Sequence, residues 1–315
     1  MRPATVIIPV FNQSFLTRVC LASLALADLA GAEVLVVDNG STDDTPQLLE
    51  EWAAGGDGRR FVRPGENLRF AGGCNLGAKE ADGEILIFLN NDTFVLRDWL
   101  PALIRPLGQN RIKVTGSRLL YPNGRIQHAG IAFNHLGPHH VFVGLRSDVP
   151  PVLRQRDYQV VTGASLAIGR DTFAHYGGFD ETYQNSFEDV DLCLRVKADG
   201  DRVVYIPDSV AYHWESMTEG RIGPQDKRNY NLFIERWGEC FEQDIDGILA
   251  EAQAEGLDLT DRIPSRREAI DWQEGIQERQ EELERMRRLL RMRSVRVALG
   301  LRDAYRSIIP SREPR

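Results

Sequence analysis

Carboxylates that directly follow buried, strand-like segments are the residues of this sequence with the clearest chemical potential. Asp92 ends the triplet Asn-Asn-Asp after the apolar run Ile85–Leu89, and Asp38 follows the apolar run 33–37. Continuous apolar runs predict strands covered on both faces, as in a parallel sheet. Ligands of such sheets bind outside the carboxyl ends of the strands, so two acids there predict a nucleotide-sized crevice. The alternative is that Asn90–Asp92 only forms a turn, which these residue types also favour.

A second pair of acids, Glu188 and Asp189, begins a segment with helical spacing at residues 188–197. The dipole of a helix favours ionised carboxylates in its first turn. An ionised carboxylate at the edge of a cleft can act as a general base. Capping of the helix alone would also explain the pair. His213 stands alone, and a lone histidine is usually structural or exposed.

The segment 67–73, NLRFAGG, predicts a glycine-rich loop before a helix over 74–81. It lacks the Gly-x-Gly-x-x-Gly fingerprint, and the sequence has no Walker motif, which argues against dehydrogenases and P-loop enzymes. Gly72 and Gly73 would let backbone N–H groups approach an anion; a tight strand-to-helix turn is the alternative. The adjacent His139 and His140 have no acidic partner at ligand spacing, so a surface loop is predicted for them.

Strand-like and helix-like segments alternate along the N-terminal part of the chain. The predicted strands are 5–10, 33–37, 61–62, 85–89, 113–120, 160–168 and 203–206, and the predicted helices are 15–30, 45–54, 74–81 and 188–197. This alternation predicts βαβ units and a mostly parallel sheet. Residues 121–160 show a looser pattern.

The composition favours an ordinary globular protein, with 42% hydrophobic and 27% charged residues in 315. A net charge of -8 argues against a nucleic-acid partner. The four cysteines are widely spaced and predict neither a disulfide framework nor a zinc site, which favours a reducing cytoplasm. The N-terminus leads directly into a strand-like run rather than a signal peptide, and no apolar run is long enough to span a membrane.

Several motifs occur in a specific order: VIIPVFN, VVDNGSTDDT, NLRFAGGCNLG, ILIFLNNDT, GASLAIGRDTF, GGFDETYQNSFEDVDLCLR and a late His213. Together they resemble the family-2 glycosyltransferases with the GT-A fold, over about residues 4–240. The greatest similarity is to the rhamnosyltransferase-like branch, whose members often carry Asn-Asn-Asp where others carry Asp-x-Asp. The resemblance implies an α/β, Rossmann-like, mostly parallel sheet flanked by helices.

The resemblance also implies roles for individual residues. Asp38 would contact the base or ribose of a nucleotide-sugar, Asp92 would hold Mg²⁺ or Mn²⁺ at its diphosphate, and His213 would be a second ligand of that cation. Asp189, with Glu188 beside it, would be the catalytic base. The residues implied to line the nucleotide-sugar crevice are Pro9, Val10, Asn12, Asp38, Asn67, Gly72, Gly73, Asn75, Asn90 and Asn91.

The implied activity is inverting, metal-dependent transfer from a dTDP- or UDP-sugar to a glycan or lipid-linked acceptor in surface-polysaccharide assembly. Asn90 and Asn91 stand where other members have carboxylates, which leaves one anionic protein ligand for the cation. Substrate phosphates and water can complete the oxygen shell of a hard cation. The same substitution motivates an alternative, a catalytically silent binding or scaffold protein of this fold. A nucleotidyltransferase is disfavoured because its Gly-rich, basic first loop is missing.

The resemblance extends to about residue 240, so the predicted domains are a GT-A domain at 1–240 and a helical extension at 241–315. The sequence changes character around Ile263, after which Glu, Gln and Arg become dense. Ile276, Leu283 and Leu290 have heptad spacing, which would suit a helix hairpin or a homodimer. Ser294–Ile309 has the pattern of a basic amphipathic helix that could lie on an anionic membrane. Packing of this helix on its own domain is the alternative. The predicted location is therefore the cytoplasm, with peripheral contact to the inner face of the membrane.

Overall fold

A computed structural model describes residues 4–214 and 224–259 of the chain. The strands are β1 Ala4–Val10, β2 Glu33–Asp38, β3 Arg59–Val62, β4 Ile85–Leu89, β5 Thr93–Val95, β6 Ile112–Leu120, β7 Ile126–His128, β8 Ile131–Asn134, β9 Gly137–His140, β10 Arg156–Tyr158, β11 Ser165–Gly169 and β12 Arg202–His213. The helices are α1 Ser14–Leu26, α2 Thr45–Ala53, α3 Arg69–Glu80, α4 Trp99–Ile104, α5 Arg170–His175, α6 Glu188–Ala198, α7 Pro224–Trp237 and α8 Ile245–Ala254, with a 3-10 turn at Pro150–Leu153.

The main sheet has the strand order β10-β12-β6-β11-β4-β1-β2-β3, with β5 paired to β12 and β7 paired to β6. The half formed by β4, β1, β2 and β3 is parallel, which confirms the predicted βαβ units. In the other half, β11 runs antiparallel to β4 and β6, whereas β12 runs parallel to β6. The carboxyl ends of β1, β2 and β4 therefore share one edge of the sheet.

The two faces of the parallel half bury alternate residues of each strand, because side chains of a strand point to opposite faces in turn. Ile7 and Phe88 belong to the hydrophobic cluster that includes residues of α3 and α6. Ile8 and Ile87 belong to the cluster that includes residues of α1 and α4. Helices thus cover both faces, which explains the unbroken apolar runs in the sequence.

The last two described helices pack beside the β8–β9 hairpin. The Phe133 ring on β8 stacks on Phe241, with ring centroids 4.7 Å apart, and on Phe233 of α7, with centroids 6.3 Å apart. Asp244 precedes α8, and its Oδ1 accepts a hydrogen bond of 2.8 Å from the backbone N of Phe133. Residues 241–259 therefore form part of the packed structure, immediately after the predicted domain boundary at 240.

Several predicted element boundaries need correction. Helix α3 begins at Arg69 rather than at residue 74, so Gly72 and Gly73 lie inside a helix and not in a loop. The reason is packing: a Cβ on Gly73 would lie 2.7 Å from Asn39 Nδ2, and glycine permits this close approach. Helix α1 ends at Leu26, before the extended backbone of residue 27, and not at residue 30.

The second half of the chain holds more strand than the sequence pattern indicates. Residues 121–160 form β7, β8, β9 and β10 instead of a loose region, because short strands of three or four residues are too brief to show a period. His139 and His140 are exposed as predicted, but they lie on β9 rather than in a loop. The predicted strand 160–168 is shorter at its start and one residue longer at its end, because the strand in the main sheet is β11, Ser165–Gly169.

None of the helices within residues 4–214 and 224–259 is both long enough and apolar enough to cross a membrane. The heptad-like positions 276, 283 and 290 and the amphipathic segment Ser294–Ile309 lie outside the described residues. The predictions made for those segments stay predictions.

Candidate active site

The carboxyl ends of β1 and β2 lie side by side, with Val10 opposite Asp38 in the parallel register. Asp38 is fully buried, and its Oδ1 accepts a hydrogen bond of 2.9 Å from the backbone N of Ser41. Its Oδ2 lies 2.8 Å from Arg63 Nε in an ion pair that lacks hydrogen-bond geometry. Asp38 is thus held at the strand end by a turn on one side and a half-exposed guanidinium on the other.

Asn12 ties the loop after β1 to the loop after β2. Its Oδ1 accepts a hydrogen bond of 2.8 Å from Thr42 N, and its own backbone N donates to Ser41 Oγ at 2.7 Å. Asn12 and Gln13 both have positive φ, 56° and 62°. Left-handed backbone at residues other than glycine stores strain and is concentrated at ligand sites. Pro9 and Val10 are buried within β1 just below this loop.

The start of α3 forms another wall of this edge. Asn67 Oδ1 accepts from Arg69 N at 2.8 Å, an Asx-type turn that leads into the helix. Asn75 directs its amide at the loop before α6: Nδ2 donates to Phe179 O, and Oδ1 accepts from Phe179 N, both at 2.9 Å. Asn39 is also buried here, and its Oδ1 has no hydrogen-bond partner within the described part of the chain.

Asp92 and His213 come together from distant parts of the sequence. His213 ends β12 and pairs with Thr93 of β5, and the backbone N of Trp214 donates to Asp92 O at 3.0 Å. Asp92 Oδ1 lies 3.0 Å from His213 Nε2, and Asn90 Nδ2 lies 3.2 Å from the same nitrogen. Both residues of the predicted cation site therefore meet in one place.

The donor set at this position fits a hard divalent cation that takes its other ligands from substrate. Asp92 offers a carboxylate oxygen, the kind of ligand that Mg²⁺ and Mn²⁺ prefer, and His213 adds an imidazole nitrogen. Asn90 Oδ1 is buried without a hydrogen-bond partner among the described residues, so a third oxygen stands beside them. No three His, Cys, Asp or Glu side chains cluster as a metal site within residues 4–214 and 224–259. A cation at this edge would thus be held incompletely by protein alone.

Asp189 lies in the first turn of α6, as predicted, with Glu188 buried beside it. Its Oδ2 accepts a hydrogen bond of 2.6 Å from Gly163 N, and its Oδ1 accepts from Val190 N at 2.8 Å. Two backbone N–H donors thus hold this carboxylate in place at the start of the helix. The preceding residue, Phe187, has a φ of 73°, so strained backbone again borders the site.

A short backbone segment links Asp189 to the Asn-Asn-Asp triplet. Gly163 donates to Asp189, and the next residue, Ala164, accepts a hydrogen bond of 3.0 Å from Asn90 N through its backbone O. Asp189 and Asp92 therefore belong to the same edge of the sheet, on either side of the turn that precedes β11.

Sequence patterns missed two polar residues of β7 that support this edge. Gln127 Oε1 lies 2.6 Å from His213 Nδ1, and His128 Nε2 accepts from Thr162 N at 3.5 Å. His128 Nδ1 also lies 3.0 Å from His140 Nδ1. Burial lowers the pKa of His128 well below its ordinary value, and the nearby His140 and His213 lower it further. The dipeptide Gln-His gave no signal because its partners are remote in sequence.

The buried thiols offer no competing nucleophile. Cys20 and Cys193 are buried, and this burial raises the pKa of each to about 12. Burial also raises the pKa of Cys74. A thiol becomes a nucleophile as its thiolate, so all three are inert at neutral pH.

Comparison with known proteins identifies relatives of this chain. The family model described as Glycosyl transferase family 2 matches residues 5–139. The O-antigen biosynthesis protein RfbC of Myxococcus xanthus is 34% identical over 68% of this chain. The chain spans only 17% of the length of that relative. The N-acetylglucosaminyl-diphospho-decaprenol L-rhamnosyltransferase of Mycobacterium tuberculosis is 29% identical over 64% of this chain and 72% of its own length.

A solved structure with the same fold is that of GalNAc-T7 with UDP, GalNAc and Mn²⁺. It superposes with a TM-score of 0.64 over 81% of this chain and 51% of its own, at 18% sequence identity. At this identity the similarity concerns the fold, which is GT-A. The first strands and their motifs thus match the family model in sequence, and the α/β architecture matches a solved structure in its fold.

Proposed function

Because the chain belongs to glycosyl transferase family 2, we propose that it transfers a sugar from a nucleoside diphosphate to an acceptor hydroxyl with inversion and with help from a divalent cation. The observation that carries the proposal is the meeting of Asp92 and His213, whose Oδ1 and Nε2 lie 3.0 Å apart. This pair stands on the same sheet edge as Asp189, which Gly163 holds by a hydrogen bond of 2.6 Å. One edge therefore offers a cation site and a base.

The nucleotide half of the donor would occupy the crevice between the ends of β1 and β2 and the start of α3. Asp38 would face the base or ribose. Arg63 is half-exposed, so its side chain could move away and leave the Asp38 carboxylate to contact the ligand. The proposed lining residues remain Pro9, Val10, Asn12, Asn67, Gly72, Gly73, Asn75, Asn90 and Asn91. Asn75 would act indirectly, because its amide already holds the loop at Phe179.

Asp92 and His213 would hold Mg²⁺ or Mn²⁺, with Asn90 beside them. Bound there, the cation would neutralise the charge of the departing diphosphate, so that no protein acid is needed for the leaving group. The protein's part is to place the carboxylate and the imidazole before the substrate arrives. Since the two side chains satisfy only part of a coordination shell, affinity for the cation should be low without nucleotide.

Asp189 would accept the proton of the acceptor hydroxyl as that oxygen attacks the anomeric carbon from the face opposite the diphosphate. The new bond forms between the acceptor oxygen and carbon, the bond to the diphosphate oxygen breaks, and the proton moves to Asp189. The transition state should have oxocarbenium character, as in glycoside hydrolysis. Glu188 is buried behind Asp189 and would shape its surroundings.

The acceptor is proposed to be a glycan or a lipid-linked glycan of a surface polysaccharide, with dTDP- or UDP-sugar as donor. The names of the Myxococcus and Mycobacterium relatives, an O-antigen biosynthesis protein and a decaprenol-linked rhamnosyltransferase, support this class of acceptor. Contact with a membrane through Ser294–Ile309, and a homodimer, would suit such an acceptor and stay predictions.

The decisive experiment combines a donor screen with one substitution. UDP-, dTDP- and GDP-sugars with Mn²⁺ should be ranked by thermal shift, because a ligand that binds only the folded state raises the melting temperature. The best donor is then assayed for transfer or hydrolysis. We expect a dTDP- or UDP-sugar to give turnover, and Asp189→Asn to reduce the rate by roughly 10²–10⁴ with donor binding retained.

Asp171→Asn is the matched control, because Asp171 is an exposed acid in the first turn of another helix, α5. If Asp189 only stabilised its helix, the two variants would melt lower by similar amounts and keep similar rates. Absence of turnover with every donor would favour the silent scaffold protein instead.

A further inference from the structure

Gln127 contacts His213 at two points with one amide. Its Nε2 donates to the backbone O of His213 at 3.1 Å, and its Oε1 lies 2.6 Å from His213 Nδ1. Resting on the proposed function, we infer that Gln127 is the positioning residue that fixes the orientation of the His213 imidazole and presents its Nε2 to the cation beside Asp92.

The orientation of the Gln127 amide is fixed by the backbone contact. A carbonyl oxygen only accepts hydrogen bonds, so the group that faces His213 O must be the amide NH₂. The amide oxygen then necessarily faces Nδ1, and since this oxygen can only accept, Nδ1 carries the hydrogen. The other ring nitrogen, Nε2, then carries no hydrogen in the neutral ring. It faces Asp92 Oδ1 at 3.0 Å and Asn90 Nδ2 at 3.2 Å.

Burial makes this arrangement stiff. Gln127 is 5% exposed and His213 is 4% exposed, so water has little access to either contact. Gln127 lies on β7, which pairs with β6, while β12, which carries His213, pairs with the same strand from the other side. The sheet itself therefore sets the distance between the amide and the ring. Partners of this kind orient metal-bound histidines and contribute to the affinity for the ion.

The test uses Gln127→Met in the full-length protein, a substitution that keeps length and apolar volume but removes both contacts. In the metal-free protein, NMR should detect a hydrogen-bonded Nδ1–H proton on His213 of the wild type and lose it in the variant. A titration with Mn²⁺ in the presence of UDP or dTDP, followed by the EPR signal of the free ion, should give a Kd about 10- to 100-fold weaker for the variant.

Gln159→Met is the matched control. Gln159 is also a buried glutamine held at both ends of its amide, but its partners are Glu242 and Asp244, away from the sheet edge. It should lower thermal stability and leave both the Nδ1–H proton and the Mn²⁺ affinity unchanged. Should Gln127→Met fail to fold, Gln127→Asn replaces it, since the shorter amide cannot span both His213 atoms.

An unchanged Nδ1–H proton, or a Mn²⁺ affinity within twofold of the wild type, in a folded Gln127 variant would overturn the inference. Equal loss of Mn²⁺ affinity in Gln159→Met would also overturn it, because the effect would then come from general loosening. If the wild type binds no Mn²⁺ with any nucleoside diphosphate, the proposed cation dependence fails. The NMR comparison would then still decide whether Gln127 orients the ring.

Discussion

Asn90 and Asn91 are consecutive, yet their side-chain amides serve different parts of the molecule. Asn90 Nδ2 lies 3.2 Å from His213 Nε2, whereas Asn91 Nδ2 donates to Thr17 Oγ1 of α1 at 3.0 Å. Only the first amide is therefore within reach of the proposed cation. The second fixes the loop to helix α1.

This difference predicts that an acid at position 90, but not at position 91, should raise the affinity for Mn²⁺. Asn90→Asp should tighten Mn²⁺ binding without nucleotide by roughly tenfold. A tenfold change in affinity corresponds to about 1.4 kcal/mol, which an added negative charge close to the ion can supply. Isothermal titration or the EPR signal of free Mn²⁺ measures the change. Asn91→Asp is the control and should not tighten binding; a similar gain in both variants would mean that the effect is only one of net charge.

The acids of the site could be predicted from sequence because each one follows a local pattern. Asp38 and Asp92 end apolar runs, and Asp189 begins a helix, so strand and helix periodicity alone indicated their positions. Gln127 could not be predicted in this way. Its role depends on a pairing with His213 that spans 86 residues, and no local spacing encodes such a contact.

At the scale of single elements, α3 shows how glycine can be misleading. Gly72 and Gly73 suggested a flexible loop, but they lie in a helix where a side chain would collide with Asn39 or Leu68. Gly77, farther along the same helix, has the same purpose against β1: a Cβ there would lie 2.3 Å from Ile7 Cγ2. These glycines are visible in the sequence, but their role in close packing can be identified only when the residues they pack against are known.

Gly77→Ala should therefore destabilise the protein although alanine favours helices. Overpacking against the fully buried Ile7 should lower the free energy of unfolding by about 1–3 kcal/mol. Gly247→Ala in α8 is the control: its Cβ would meet nothing within 4 Å, so it should raise stability by about 0.5–1 kcal/mol. Urea unfolding of both variants measures these changes, and equal effects would contradict the packing argument.

Strand β7 also makes the stability sensitive to acid through His128. Its pKa in the folded protein is well below the ordinary value because of burial, so below about pH 6.5 only the unfolded chain gains this proton. The unfolded state then binds more protons, and stability falls as the pH drops, by up to about 1.4 kcal/mol per pH unit from this one group. Above that pH the effect vanishes.

Urea unfolding of the wild type and of His128→Gln at pH 7.5 and pH 5.5 tests this sign. The variant should be less stable at pH 7.5 because it loses the contacts to Thr162 and His140, but its loss on acidification should be smaller. Parallel losses in both proteins would assign the acid sensitivity to other groups, such as the carboxylates.

At the scale of the whole molecule, residues just after the predicted domain boundary at 240 pack against residues that precede it. Phe241 stacks on Phe133, Gln159 binds Glu242, and Arg156 forms an ion pair with Glu251. The predicted boundary at 240 came from the extent of the family resemblance, about residues 4–240, which carries no information on the tertiary contacts of the residues that follow.

A protein that ends at residue 259 keeps these contacts and serves as the reference. A protein that ends at residue 240 should lose about 3 kcal/mol or more, the scale of removing one large aromatic side chain from a packed site. Thermal and urea unfolding of the two truncated proteins distinguish these outcomes. Equal stability of both would place the end of the folded unit at residue 240 after all.

His213 lies on β12, the last strand within the described residues, 123 residues after Asn90. During synthesis, a ribosome has therefore released nearly the whole sheet before the imidazole exists to meet Asp92. A nascent chain that stalls before residue 213 lacks the imidazole and has only Asp92 of the pair. The proposed cation site would thus be completed only after the last described strand, β12, has been synthesised.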